Sequence, residues 1–101
     1  MSPADPLIAV TCRPAGEGYL CTVRVGDDPG ATDHEVTLSG ADLAAFGGGT
    51  TQPETLVAAS FAFLLEHEPR ESILSRFALP VIGRYFPEYP AEIRRRIAKA
   101  G

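Results

Sequence analysis

The chemistry of the two cysteines depends on whether the fold brings them together. Cys12 lies in the segment LIAVTCR and Cys21 in YLCTVRV, and the intervening PAGEG suits a hairpin loop. A hairpin that pairs residue 12 with residue 21 makes the two thiols neighbours across the strands. Two interpretations stay open: a disulfide or redox pair, and two buried thiols acting as small apolar side chains. We favour the second because cytosolic thiols are normally reduced.

The histidines do not indicate a metal site or a catalytic centre. The C-x8-C spacing matches no standard zinc pattern, and along the predicted strands His34 lies more than about 13 Å from Cys21. His67 stands between Glu66 and Glu68, but adjacent side chains of a helix point in different directions and do not form an acid–base pair. The sequence predicts no catalytic residue, metal or cofactor, and we expect a protein that is not an enzyme.

Two further segments look like binding loops but lack the required residues. DDPGATD does not have the spacing of an EF-hand, and the run Gly47 to Gly49 lacks the Lys and Ser/Thr of a phosphate-binding loop. We interpret the first as a solvated turn and the second as a hinge or linker.

The segment RFALPVIGRYFPEY, residues 76–89, interleaves aromatic side chains with arginines. Such a composition is found both in interaction hot spots and in tightly packed cores. We favour the core, with Tyr85 or Tyr89 reaching the surface through its phenol. The candidate interaction surface adds two arginines of the last helix and comprises Arg84, Tyr85, Tyr89, Arg94 and Arg95.

The charge is unevenly distributed along the chain. The net charge is −4, yet residues 91–101 carry Arg94, Arg95, Arg96 and Lys99 against Glu92 alone. An acidic protein is an unusual nucleic-acid binder, and one turn of basic residues is typical of a solvated helix end. Nucleic-acid binding by this basic helix is therefore the alternative function, and nucleic acid is an unexpected partner.

The N-terminal part predicts an antiparallel sheet over about residues 7–38. Strands are expected at 7–13, 19–25 and about 34–38. The pairs Ile8–Val25, Val10–Val23 and Cys12–Cys21 place every apolar side chain of the hairpin on one face, and a slip by one residue would bury Arg24 instead.

Helices are predicted over about residues 40–100, and they cover that face. Ser39 and Asp42 form a capping pattern for a short helix that ends at Gly47, and Thr51 and Glu54 form another for a helix running to about His67. Phe61 and Leu64 should be among its most buried residues. Pro69, Pro80, Pro87 and Pro90 divide the remainder into short helices over 70–77, 80–86 and about 91–100.

The predicted fold class is α+β: a three-stranded antiparallel sheet packed against one long and several short helices, as a single domain over residues 1–101. The most apolar run, Leu56 to Leu65, is too short to cross a membrane, and no secretory signal is visible. We expect a cytoplasmic protein without a membrane partner.

The string ESILSRFALPVIGRYFPEYPAEI resembles the C-terminal part of a family of small uncharacterised bacterial proteins. The resemblance covers about residues 54–93 and is specific mainly at 71–93. It implies an intact domain and no catalytic residues. The expected function is that of a non-enzymatic interaction or regulatory protein whose partner is a protein, with a homo-oligomer as an open alternative.

Overall fold

The computed structural model describes residues 7–26, 30–48 and 51–100. Three strands open the chain, β1 (Ile8–Ala15), β2 (Gly18–Val25) and β3 (Thr32–Ser39), and two helices follow, α1 (Gly40–Gly47) and α2 (Pro53–Leu65). After a 3-10 turn at Arg70–Ser72 come β4 (Arg76–Ala78), a second 3-10 turn at Leu79–Val81, α3 (Ile82–Tyr85) and α4 (Tyr89–Ala100). Within the described residues no helix is long and apolar enough to cross a membrane.

The predicted hairpin register is confirmed. Ile8 pairs with Val25, Val10 with Val23 and Cys12 with Cys21. Arg13 and Arg24 lie on the exposed face. A two-residue turn joins the strands, and its first residue, Gly16, has φ +60°, which a residue with a side chain rarely adopts.

In the described part of the chain the sheet has four strands in the order β1-β2-β3-β4, and the three-stranded prediction missed the last of them. β4 runs parallel to β3, with Phe77 opposite Val36. This strand occupies the end of the segment 70–77 that we expected to be helical. It is only three residues long, and its apolar Phe77 flanked by Arg76 and Ala78 carries too little alternation to be distinguished from a helical turn.

The helix boundaries confirm one predicted cap and correct another. At α1 the Ser39 hydroxyl accepts a hydrogen bond from the Asp42 N–H, and the Asp42 carboxylate accepts one from the Ser39 N–H, as the capping box requires. The N-cap of α2 is Gln52 rather than Thr51. The Thr51 hydroxyl instead donates to the carbonyl of Gly47 at the end of α1, so it is not available to cap the next helix.

The core lies between one face of the sheet and the helices. Phe61 is 0% exposed and Leu64 is 4% exposed, as predicted for α2. The same cluster takes in Val23 and Val36 from the sheet and Ile93 from α4, so sheet and helices share one apolar interior.

Candidate interaction groove

An apolar groove of about 350 Å³ opens beside the C-terminal end of α2. Its floor includes Leu64 of α2, Phe77 of β4 and Ile82 of α3, and Leu74 and Tyr85 stand at its rim. Leu74 is 48% exposed and Tyr85 is 67% exposed, so two large apolar side chains border the groove in contact with solvent. Exposed apolar surface of this kind around a concave site is typical of a place where another molecule binds.

The segment that forms one wall of the groove is attached to the sheet by a buried histidine. His34 is 4% exposed, and its Nδ1 lies 2.9 Å from the carbonyl oxygen of Leu74. Because a carbonyl only accepts, Nδ1 carries the hydrogen and donates it. The Nε2 atom lies 2.9 Å from the Thr32 hydroxyl, and the ring packs 5.2 Å from that of Phe61. His34 therefore fixes the backbone at Leu74 and leaves the leucine side chain facing outward.

Of the residues that the structure describes, Glu68 is the one charged residue that lines the groove. It follows α2, and its backbone N–H donates to the carbonyl of Leu64 at 2.9 Å. Among the described residues no cation forms an ion pair with the Glu68 carboxylate. The groove thus combines an apolar floor with one carboxylate at its side.

The two predicted tyrosines have opposite environments. Tyr85 lies at the rim, but Tyr89 is 0% exposed and belongs to the core. Ser60 donates its hydroxyl hydrogen to the carbonyl of Leu56 at 2.8 Å, so the Tyr89 hydroxyl donates to Ser60 Oγ, also at 2.8 Å. Burial, which disfavours the charged phenolate, raises the pKa of Tyr89 to about 12. Tyr89 is accordingly not part of a surface in this structure.

The arginines of α4 contact groups of the same chain. Arg94 Nε donates to the carbonyl of Ala45 at 2.9 Å, and Arg95 contacts Glu92 through two short hydrogen bonds of 2.6 and 2.7 Å. Arg96 bridges Glu92 and Glu66 at 2.6 and 2.7 Å.

These contacts shift the acidities of the groups involved. Hydrogen bonds from Arg95 and Arg96 lower the pKa of Glu92 to about 2, and a hydrogen bond from Arg96 lowers the pKa of Glu66. The hydrogen bond to Glu66 in turn raises the pKa of Arg96. Arg95 and Arg96 are therefore paired with carboxylates of the same chain, while Arg94 is held by a neutral carbonyl. Arg84 is exposed on α3 and does not line the groove.

The two cysteines form a disulfide, where we favoured free thiols. Cys12 and Cys21 are bonded, with their Cα atoms 4.0 Å apart at a facing position of the hairpin. The predicted register already placed the two thiols opposite each other. We expected them to be reduced only because we assumed that the protein is cytosolic. Disulfides persist in oxidising environments, so this bond and the expected cytoplasmic location point in different directions.

The histidines and acids are not arranged as a metal centre in the described part of the chain, where no three His, Cys, Asp or Glu side chains are grouped to hold an ion. His34 is used in the core, and His67 lies 4.6 Å from the ring of Phe63 and 4.8 Å from that of Phe86. Asp27 and Asp28 of the acidic turn lie outside the described residues.

Comparison with known proteins found no match: no family model, no curated protein and no solved structure is significantly similar to this chain. The resemblance of residues 71–93 to a bacterial family thus stays an expectation.

Sequence reasoning found part of the groove and missed the rest. The predicted interaction surface included Tyr85 but not Leu74 or Glu68. The segment before β4 brings Leu74 to the groove, and the turn after α2 brings Glu68 there. The position of His34 carried a signal: it has the same parity as Val36 and Leu38 on β3, and this parity places it on the buried face. A polar residue at such a position must find buried hydrogen-bond partners.

Proposed function

We propose that this protein is a non-enzymatic interaction protein, and that its groove receives an apolar side chain of a protein partner that carries a basic group beside it. The observation that carries the proposal is the exposure of Leu74 and Tyr85, two large apolar side chains that line an apolar concavity. Large apolar side chains at a surface are energetically unfavourable in water, and covering them stabilises a complex by roughly 25 cal/mol for each Å² buried.

The size of the groove suits one or two side chains rather than a whole helix. At about 350 Å³ it is at the small end of the range for binding pockets. Its floor is aromatic and aliphatic, and Tyr85 offers a rigid ring with a hydroxyl that can reach a backbone group of the partner. A leucine, phenylalanine or methionine from an exposed partner segment matches this shape and chemistry.

The carboxylate of the groove favours a particular type of residue next to the apolar anchor of the partner. Among the described residues, the Glu68 carboxylate forms no ion pair and no other charged side chain lines the groove. A lysine or arginine next to the apolar anchor would meet this carboxylate, while an acidic neighbour would be repelled. The partner segment is therefore apolar and basic.

The alternative, nucleic-acid binding by α4, receives less support from the contacts. Arg95 and Arg96 hold Glu92 and Glu66, and Arg94 holds a backbone carbonyl. Contact with phosphates would require these arginines to give up hydrogen bonds that they already make, which lowers the net gain from binding a nucleic acid.

Selection from a random peptide display library tests the proposal. We expect enriched peptides to combine a large apolar residue with an adjacent lysine or arginine. Their affinity should fall at least tenfold for Tyr85→Ala and for Leu74→Ala, and Glu68→Gln should weaken the preference for the basic residue. Arg84→Ala is the matched control, since Arg84 neighbours Tyr85 but lies outside the groove, and it should bind normally. Failure to enrich any sequence, or enriched peptides that bind the groove variants as well as wild type, would overturn the proposal.

A further inference from the structure

The two edges of the sheet differ in how they are protected. β4, at one edge, is three residues long and is followed at once by a 3-10 turn that contains Pro80. β1, at the other edge, is eight residues long, and Pro14 near its end is its one residue without an N–H. Short edges ended by proline resist pairing with another chain, whereas a long regular edge offers a row of free backbone groups. The β1 edge is thus the open side of the sheet.

The hydrogen bonding of the hairpin shows which groups of β1 are free. Gly26 N–H donates to the carbonyl of Leu7 at 2.8 Å, which fixes the alternation along the strand. Odd-numbered residues of β1 bond to β2, and the even-numbered residues Ile8, Val10 and Cys12 direct their N–H and C=O groups away from it. The 4.0 Å Cα separation of Cys12 and Cys21 fits the narrow, non-hydrogen-bonded pairs of an antiparallel ladder. No backbone partner for these outward groups is found within the described residues.

We propose that the β1 edge pairs antiparallel with β1 of a second copy of this chain, around a two-fold axis at Val10, to form a continuous eight-stranded sheet. In this register Val10 lies opposite Val10 of the other copy, and Ile8 lies opposite Cys12. Every outward N–H and C=O of these three residues then meets a partner, as a symmetric interface between identical surfaces requires. The proposal concerns a different surface from the groove and goes beyond the proposed function.

The side chains of β1 are compatible with pairing to their own copy. On the exposed face Ala9 would lie opposite Thr11, and Arg13 opposite Leu7, so no like charges face each other. Arg13 is the only charged residue of the strand. On the inner face Ile8, Val10 and Cys12 are only half-buried in the single chain, and a second sheet beside them would continue the apolar surface.

Helix α2 presents a matching face beside the same edge. It packs on β1, and its buried Ser60 and Phe63 point towards α4. At 100° per residue the opposite face carries Ala58, Ala62 and Leu65, which are half-buried. Glu54, in the first turn of α2, is the charged residue of this face, and from Ala58 to Leu65 the face is apolar. In the dimer the two α2 helices flank the axis, and alanines permit the close approach of about 8–10 Å that packed helices need.

Sedimentation equilibrium of the full chain, with like charges placed across the axis, tests the proposal. Ala9→Glu/Thr11→Glu sets a carboxylate of each copy against a carboxylate of the other. We expect wild type to be dimeric at tens of micromolar, and this variant to have a dissociation constant at least tenfold higher while its circular dichroism spectrum stays that of the folded chain. The matched control, Ala41→Glu/Ala44→Glu, places the same two charges on the exposed side of α1, away from β1, and should leave the dimer intact.

A charge exchange tests the register itself. In Ala9→Glu/Thr11→Lys the introduced acid of one copy faces the introduced base of the other, and dimerisation should recover to within about threefold of wild type. A wild-type protein that is monomeric at 100 micromolar contradicts the proposal. A dimer unaffected by Ala9→Glu/Thr11→Glu, or one lost in Tyr85→Ala instead, contradicts it equally, because the copies would then meet elsewhere. Since peptide binding to the groove is measured separately, either proposal can fail without the other.

Discussion

Around Tyr89 the protein is closely packed, whereas around Tyr85, one turn earlier in the sequence, it is open to solvent. Tyr89 begins α4, is hydrogen-bonded to Ser60, and packs 5.4 Å from the ring of Phe46 and 5.5 Å from that of Phe63. Tyr85 ends the short helix α3 and is two-thirds exposed. The break between the two helices, not the residue type, places one phenol in the core and the other at the rim of the groove. An aromatic-rich segment can therefore serve packing and recognition at once.

If the packed region carries the stability, truncating its central ring should have the largest effect. Phe61 is 0% exposed and packs 5.2 Å from the ring of His34 and 6.0 Å from that of Phe77. We expect Phe61→Ala to lower the free energy of unfolding by about 3–5 kcal/mol, the usual cost of removing a core aromatic ring. Urea melts measure this. A variant as stable as wild type would mean that α2 is not the centre of the folding unit.

The disulfide should contribute the next largest share. Cys12 and Cys21 are nine residues apart, and closing a loop of that length stabilises a fold by about 2–3 kcal/mol through the unfolded state. We expect Cys12→Ser/Cys21→Ser to lose about this amount, and wild type with a reductant to lose the same. Thermal melts with and without reductant measure this contribution. The double variant is the control, and reductant should not change its melting temperature. No change on reduction would show that the two side chains act only as packed thiols, as we first expected.

The buried phenol gives the packed region a pH dependence. The pKa of Tyr89 is raised from 10.0 to about 12, so the native state holds its proton more tightly than the unfolded chain. This stabilisation is complete below pH 10 and is lost as the pH rises towards 12. Tyr89→Phe should cost about 1 kcal/mol at pH 7 through the lost hydrogen bond, and should remove this part of the alkaline loss. Equal alkaline sensitivity in both proteins would mean that Tyr89 is accessible to water.

The open region should tolerate truncation. Because Tyr85 is two-thirds exposed and Leu74 about half exposed, Tyr85→Ala and Leu74→Ala should each change the free energy of unfolding by less than about 0.5 kcal/mol. The same melts as for Phe61→Ala provide the comparison. A loss of about 2 kcal/mol or more from either variant would show that the groove is part of the core.

The sheet was more predictable than the groove for a physical reason. Alternating apolar residues in the hairpin allow only one register that buries Val23 and exposes Arg24, so local sequence decided the pairing. β4 could not be recognised in the same way, since its pairing with β3 depends on the Glu35 N–H reaching the carbonyl of Ser75 far along the chain. The walls of the groove consist of such non-local contacts.

The last helix shows a second limit of prediction from the sequence. Its basic residues were evident from the sequence, but the groups of the same chain that they bind were not. Glu66 meets Arg96 across the fold at 2.7 Å, and Arg94 reaches the end of α1. Counting charges cannot distinguish arginines that are free to bind a ligand from arginines that hold the fold together, because that difference lies in tertiary contacts.

The most direct test of the groove is a map of where a bound peptide changes the backbone. Titration of the isotopically labelled protein with a selected apolar, basic peptide should shift the amide resonances of residues 72–74 and 81–86, with small changes elsewhere. Tyr85→Ala should abolish these shifts while its spectrum otherwise remains that of the folded protein. Shifts concentrated on Arg94 to Arg96, or on β1, would contradict the assignment of the groove as the binding surface.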